Sequence, residues 1–147
     1  MKEPTVYVLG FLFSPDYKKL VLIHKNKPEW QKGLFNVPGG RVEDYDKTYN
    51  QATTREFSEE AGVCIHHYEW QQFASLNGPD YKVYCFVADS EIYKQAYSRT
   101  SETIKVHEVE DVLTGKLPIV PSLAYLIPLA RDYLINPSSP KYASFTY

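Results

Sequence analysis

Three glutamates crowd the segment REFSEEAGV, residues 55–63. If this segment is helical, Glu59 and Glu60 lie three and four residues after Glu56, so all three carboxylates project to one side of the helix. Such a cluster could bind Mg²⁺, a hard cation that takes oxygen ligands and often joins carboxylates to phosphates. The alternative is an acidic face exposed to water, because the mutual repulsion costs only roughly 0.2–0.5 kcal/mol per pair.

The residues around this cluster suit the same chemistry. Arg55 can hold a carboxylate through its bidentate guanidinium and so orient a ligand. Gly39 and Gly40 lack Cβ atoms, so backbone amides can approach a phosphate or the acidic helix closely. A bound cation would also offset the helix dipole, which disfavours acids in the last turn. PGG, Glu43, a capped helix and REFSEEAGV together form a long ordered pattern that few unrelated sequences match.

This pattern closely resembles the Nudix box, which runs glycine, five residues, glutamate, seven residues, then Arg-Glu-apolar-any-Glu-Glu-any-Gly-apolar. Residues 55–63 fit at every specified position, and the resemblance covers roughly residues 5–134. It implies an α/β/α sandwich with a mixed sheet. It also implies hydrolysis of a nucleoside diphosphate linked to another group, assisted by Mg²⁺ or Mn²⁺.

The resemblance also implies roles for individual residues. Arg55 becomes the partner that orients the carboxylates, and Glu60 is central to catalysis. Two acids compete as the general base that activates water, Glu59 on the box helix and Glu102 before a later strand, although Glu102 could equally be an ordinary exposed loop residue. The implied metal ligands are Gly40, Glu56, Glu59 and Glu60.

The first half of the box departs from the family pattern. Lys47 stands where the first box glutamate is expected, and one extra residue lies between Gly40 and Arg55. Asp44 and Asp46 flank the missing acid; Asp46 is the natural substitute and a candidate substrate contact. If Asp46 cannot reach, the Lys47 ammonium would weaken cation binding, although it could contact a phosphate. An inactive nucleotide-binding relative therefore stays open beside an active enzyme.

The substrate is indicated only by residues outside the box. In the family, a proline shortly after the box is associated with ADP-ribose and a nearby tyrosine with diadenosine polyphosphates, and Pro79 and Tyr81 lie in that zone. Both also suit an ordinary turn in NGPDYK. Tyr7, Phe11 and Tyr84 could line a base pocket, but strand packing explains them first. We expect ADP-ribose or an adenine dinucleotide, with a canonical or oxidised nucleoside triphosphate as the alternative.

The helices and strands predicted around these residues indicate an α/β domain with a mixed sheet between helices. Thr48 and Gln51 match a capping box that begins the acidic helix, and Gly62 ends it. A second helix, which contains Pro128, closes the domain. Period-two and apolar runs predict strands in TVYVLGFLF and KKLVLIHK, joined as a hairpin, and in LFNV, VCIHHYEWQQFASL, YKVYCFVA and TIKVHEV.

Length and charge limit the remaining possibilities. The 147 residues fit one domain, predicted over residues 1–135, with an extension at 136–147 that we expect to be loose or docked on a partner. A net charge of −2 gives no extended basic surface for nucleic acid. The partner that the resemblance implies is a small-molecule nucleotide. Family resemblance allows a homodimer.

The cysteines and histidines indicate no second metal centre. Cys64 and Cys85 lie in apolar runs without zinc or redox spacing, which predicts buried reduced thiols in a cytoplasmic protein. No run is long enough to span a membrane. The histidines have no partner at a telling spacing, so we expect them to be structural or surface residues; they are His24, His66, His67 and His107.

Overall fold

A computed structural model describes residues 3–136, 138 and 142–147. The described residues form one mixed sheet between helices, which confirms the predicted α/β/α sandwich. The strands are β1 (Thr5–Phe13), β2 (Lys19–His24), β3 (Phe35–Asn36), β4 (Gly39–Arg41), β5 (Gln71–Asn77), β6 (Tyr81–Asp89), β7 (Thr103–Glu108) and β8 (Ala143–Thr146). The helices are α1 (Tyr49–Ala61), α2 (Val109–Leu113) and α3 (Leu123–Ile135).

The sheet order places β1 at its centre. The strands run β3-β2-β1-β6-β5-β8, with β4 also paired to β1 and β7 to β2. β1 and β6 pair in parallel along their whole length. The predicted hairpin of β1 and β2 meets only near its turn, at Phe13 and Leu20, because β4 occupies the same edge of β1 further back. The glycine pair of β4 is therefore held beside the central strand.

Alternating side chains of β1 and β2 build a core on each face of the sheet, as expected for strands covered on both sides. Phe11 and Phe13 pack on the face covered by α2 and α3. Val8 and Leu12 pack on the opposite face, which α1 covers. Phe57 anchors α1 there, with its ring centroid 5.5 Å from that of Trp70. The apolar side of α1 is thus fixed to the sheet, and its acidic side is left to face β4.

Both ends of α1 are where the sequence predicts them. The Thr48 hydroxyl accepts a hydrogen bond from the Gln51 amide at 3.0 Å, the first half of the predicted capping box. Gly62 ends the helix with φ of 71°, a left-handed conformation that glycine adopts without strain. These two local signals set the register of the acidic helix.

The segment after α1 corrects two expectations. The strand predicted from VCIHHYEWQQFASL begins only at Gln71, and a 3-10 turn at His67–Glu69 precedes it. The Asn50 side chain of α1 donates to the His67 and Trp70 carbonyls at 3.1 and 2.9 Å, so these groups are satisfied without a neighbouring strand. Cys64 lies in this loop and is exposed, contrary to the prediction of two buried thiols.

Other expectations about single elements hold. Cys85 is buried in β6, and burial raises the pKa of its thiol to about 12. α3 runs through Pro128 and closes the α2 side of the sheet. Within the described residues, no helix combines the length and apolar character needed to cross a membrane.

The described part of the predicted extension is not loose. β8 adds a parallel strand to β5, with Ala143 opposite Ala74 and Thr146 opposite Asn77. The Asn77 side chain also donates to the Phe145 carbonyl at 3.1 Å. The prediction of a loose extension is therefore wrong for residues 142–147, while residues 137 and 139–141 lie outside the described residues.

Candidate active site

Glu60 is the most buried acid of the cluster, with only 9% of its surface exposed. Its Oε1 accepts a hydrogen bond from the Gly39 amide at 3.1 Å. Its Oε2 is buried and has no hydrogen-bond partner among the described residues. Burial raises the pKa of Glu60 to about 8, although the nearby Lys25 ammonium acts in the opposite direction. A buried carboxylate oxygen without a hydrogen-bond partner is suited to binding a cation.

Residues 39 and 40 have no room for a Cβ atom, because β4 lies tightly between β1 and α1. A Cβ atom at Gly39 would lie 2.1 Å from the Val8 carbonyl oxygen, and one at Gly40 would lie 2.4 Å from Glu56 Oε2. Larger residues would therefore push the strand or the carboxylate away. Burial also raises the pKa of Glu56, an effect that Arg55 partly offsets. β4 thus packs closely against two of the three predicted carboxylates.

Arg55 joins the acidic residues into one network. Its Nε and Nη2 donate to the two oxygens of Asp46 at 2.9 and 2.8 Å. Its Nη1 donates to Glu56 at 3.0 Å and to Glu59 at 3.3 Å. The hydrogen bonds between Arg55 and Asp46 lower the pKa of Asp46 and raise that of Arg55. Arg55 thus contacts three carboxylates at once.

Asp46, in the turn before α1, pairs with Arg55. The turn before α1 brings it within reach, because the Glu43 amide donates to Asp46 Oδ2 at 2.8 Å and only 4% of the Asp46 side chain is exposed. The Tyr45 ring lies 5.3 Å from the Arg55 guanidinium carbon, within range of a cation–π contact. Lys47 is exposed. The extra residue therefore lets the turn deliver Asp46, rather than position 47, to the arginine.

The two candidate bases differ sharply in their surroundings. The Glu59 side chain is 57% exposed and contacts Arg55. Glu102 is only 6% exposed, so the alternative of an ordinary exposed loop glutamate is wrong. Its carboxylate accepts from Lys25 Nζ at 2.9 Å and from the Asn26 and Lys27 amides at 2.6 and 3.3 Å. Burial raises the pKa of Glu102, but these donors outweigh it and hold the pKa below its ordinary value.

The carboxylate oxygens are of the type that binds a hard divalent cation, although they do not converge on one point. Within the described residues, no three His, Cys, Asp or Glu side chains converge on a common point suitable for a metal. The reason is visible in the contacts, since Arg55 draws Glu56 and Glu59 towards itself. Glu60 Oε2 nevertheless has no partner, and the nearby ligands are oxygens, the type that Mg²⁺ prefers.

A cleft of about 1350 Å³ opens beside the glycine pair. Gly39, Gly40 and Lys25 line one part of it, so it reaches residues that touch the carboxylates of Glu56, Glu60 and Glu102. Aromatic side chains line much of the rest; they are Tyr7, Trp30, Tyr81, Tyr125 and Tyr147.

Only some of the residues proposed for the base pocket line this cleft. Tyr7 and Tyr81 line it. Phe11 is instead buried in the core, and Tyr84 stacks on Tyr49 at a centroid distance of 4.5 Å, so neither joins the pocket. Pro79 is exposed in the turn between β5 and β6.

Sequence reasoning missed several aromatic residues of the cleft. Trp30, Tyr125 and Tyr147 come from a loop, α3 and the end of the tail, and no spacing in the sequence connects them. Only the high tyrosine content, 13 of 147 residues, gives a signal, and it does not single out positions.

The histidines lie away from the carboxylates. His24 stacks on Phe35 at a centroid distance of 4.6 Å, and His107 packs on the same ring at 5.3 Å. His66 and His67 stand in the turn after α1. These positions agree with the expectation of structural or surface roles.

Replacing Asp46 by asparagine should weaken Mg²⁺-dependent turnover by about 10- to 100-fold, the usual cost of losing a residue that orients metal ligands. Asparagine offers Arg55 one acceptor oxygen where the carboxylate offers two. Titration of turnover against Mg²⁺ concentration measures the effect. Asp44→Asn is the matched control at an exposed position of the same turn. Equal losses in Asp44→Asn and Asp46→Asn would contradict the role of Asp46.

The described residues thus form an α/β/α sandwich in which a glutamate-rich helix stands beside a cleft. The model of the NUDIX domain family matches residues 2–129. The chain therefore belongs to the Nudix family and is a pyrophosphohydrolase of that class, whose members generally use divalent metal ions. No curated protein is significantly similar to the sequence.

Solved structures share the fold at low identity. The NUDIX domain of NrtR from Shewanella oneidensis, complexed with ADP ribose, has 23% identity and a TM-score of 0.78, over 91% of this chain and 90% of that chain. MutT, from a study of Aliivibrio salmonicida and Vibrio cholerae, has 18% identity and a TM-score of 0.71, over 89% and 99% of the two chains. A NUDIX hydrolase from Nitrosomonas europaea has 15% identity and a TM-score of 0.73, over 100% and 81%.

Proposed function

We propose that this protein hydrolyses the pyrophosphate bond of ADP-ribose or a related adenine dinucleotide, with Mg²⁺ or Mn²⁺. The observation that carries the proposal is the continuity of one cleft, which runs from the glycine pair beside the acidic helix to several tyrosines. A diphosphate and a planar base can therefore be bound together. The similar fold of the NrtR domain, solved with ADP ribose, supports a ligand of this kind.

The cation would be held by the carboxylates of α1 and the backbone of β4. Glu60 has the unpartnered oxygen, and Glu56 lies against Gly40. When bound, the metal would neutralise phosphate charge and lower the pKa of a coordinated water. Asp46 contributes by fixing Arg55, which in turn limits the rotamers of Glu56. The proposed ligands are Gly40, Glu56, Glu59 and Glu60.

Glu59 is the better candidate for the general base. It is solvent-exposed, and its contacts with Arg55 are long, at 3.3 and 3.4 Å, so it can turn towards a water at little cost. Both oxygens of Glu102 already accept hydrogen bonds, which stabilise its charged form and lower its pKa, so it is the weaker base. Its contacts suit a different task, which is to hold Lys25 at the edge of the cleft. There the Lys25 ammonium could contact a phosphate of the substrate.

A panel of nucleotides incubated with Mg²⁺ and resolved by chromatography tests the proposal. ADP-ribose should yield AMP and ribose 5-phosphate. Release of a nucleoside monophosphate and pyrophosphate from triphosphates alone would favour the alternative substrate class. Binding without turnover of any nucleotide, unchanged in Glu60→Gln, would contradict both enzymatic functions and favour a nucleotide-binding protein.

A further inference from the structure

The tail segment, residues 142–147, is built into the sheet beside the cleft. β8 pairs with β5, and the Tyr147 amide donates to the Asn77 carbonyl at 2.9 Å. At the other end of the segment, the Tyr142 hydroxyl accepts from the Gln72 side chain at 2.7 Å. The segment is thus held by backbone and side-chain contacts at both ends, which fixes the direction of its side chains.

Tyr147 lies on the cleft side of this segment. Phe145, two residues earlier and so on the same face of the strand, packs against the core under α3, with its ring centroid 4.8 Å from that of Tyr125. The hydroxyls of Tyr125 and Tyr147 are in hydrogen-bond contact. Tyr147 is nevertheless 61% exposed and lines the cleft. Its ring is therefore positioned by the protein while much of its surface is free for a ligand.

The position of Tyr147 in the sheet places it far from the carboxylates. The strands between the glycine pair and the tail run β4, β1, β6, β5 and β8, so four spacings of 4.7–4.9 Å separate the ends by about 19 Å. A substrate whose phosphates lie near Glu56 and Glu60 would therefore reach Tyr147 only with its opposite end.

The charges along the cleft indicate which end that is. Lys25 and Lys27 line it beside the loop that contacts Glu102. The acidic residue of the lining is Asp80, which immediately precedes Tyr81 at the start of β6. An anionic phosphate is favoured near the lysines and disfavoured near Asp80. A neutral planar ring suits the tyrosine end, because it can stack on an aromatic face.

We infer that Tyr147, positioned by β8 and Tyr125, is a specificity-determining residue that stacks on the base of the nucleotide substrate. This inference rests on the proposed function and adds the residue that recognises the base.

Replacement of Tyr147 tests the inference. Tyr147→Ala should raise KM for the nucleotide substrate about tenfold, within the range for loss of one base–aromatic stack, with kcat nearly unchanged. Tyr147→Phe keeps the ring but loses the hydroxyl contact with Tyr125, so its KM should rise less than that of Tyr147→Ala. Tyr68→Ala is the control, because Tyr68 is another exposed tyrosine, at 72%, and does not line the cleft.

Calorimetric titration separates base recognition from catalysis. Tyr147→Ala should weaken AMP binding about tenfold and leave the affinity for ribose 5-phosphate, which lacks a base, unchanged. An equal loss for both ligands, or no loss for AMP, would overturn the inference. If the wild type turned over no nucleotide, the proposed hydrolysis would fail, whereas the AMP titration would still decide the role of Tyr147.

Discussion

Replacing Glu60 by glutamine should reduce Mg²⁺-dependent turnover by about three orders of magnitude, as expected when a metal contributes several kcal/mol and one of its carboxylates is lost. Glu60 combines deep burial with an oxygen that has no hydrogen-bond partner among the described residues. Glutamine has nearly the same shape, and its amide oxygen can still accept from the Gly39 amide. Steady-state turnover at saturating Mg²⁺, with melting temperature as a check on folding, measures the effect.

The control separates this loss from a general effect of removing a charge. Glu91→Gln removes a carboxylate that is 70% exposed and pairs only with a neighbouring lysine on the surface. It should retain the activity of the wild type. Near-normal turnover in Glu60→Gln would refute the assignment of Glu60 as a metal ligand.

In the absence of metal, the wild-type protein should lose stability as the pH rises from about 5 to 9. The pKa of Glu60 is about 8 in the folded chain, against 4.5 as its ordinary value. Between these values the folded state holds a proton that the unfolded state has released, so folding becomes less favourable as the pH rises. The contribution is complete below 4.5 and lost above 8, and it amounts to a few kcal/mol, at most about 5. Urea unfolding in EDTA at several pH values measures it.

Glu60→Gln again supplies the control, because glutamine resembles the protonated acid at every pH. The variant should be more stable than the wild type at pH 9 without metal, and the two should converge near pH 5. Asp46 and Glu102 have lowered pKa values, so their stabilisation is lost only in more acidic solution and does not obscure this range. Parallel pH profiles for the two proteins would contradict the assignment of the slope to Glu60.

The same variant pair tests the link between proton and cation. A ligand that binds only the folded state stabilises it by mass action. If the cation and a proton compete for Glu60, added Mg²⁺ should stabilise the wild type more at pH 9 than at pH 6. In Glu60→Gln this dependence on pH should largely disappear.

Local features of the sequence predicted the acidic helix well. Its boundaries depend on one hydroxyl cap at Thr48 and one left-handed residue at Gly62, and both act within a few residues of the chain. The periodicity that places Glu56, Glu59 and Glu60 together is equally local. The same holds for β1 and β6, whose apolar runs match their burial in the sheet.

Longer-range competition explains the errors. The strand predicted from Val63 was shortened because Asn50, far away in α1, satisfies the carbonyls that a strand partner would otherwise have bonded. The tail joins β5 across nearly half of the chain, and no short-range pattern specifies that pairing. The burial of Glu102 follows in the same way from contacts with Lys25 and its two successors.

The sequence by itself therefore determined the chemistry: the residue types of the box, their spacing on one helix and the family to which they point. The tertiary structure decided which groups meet. It brought Asp46 rather than Lys47 to Arg55. The turn before α1 carries an extra residue, and the path of the chain through that turn depends on packing. The tertiary structure also gathered Trp30, Tyr125 and Tyr147 around one cleft, since strand order, which depends on contacts distant in sequence, sets which segments become neighbours.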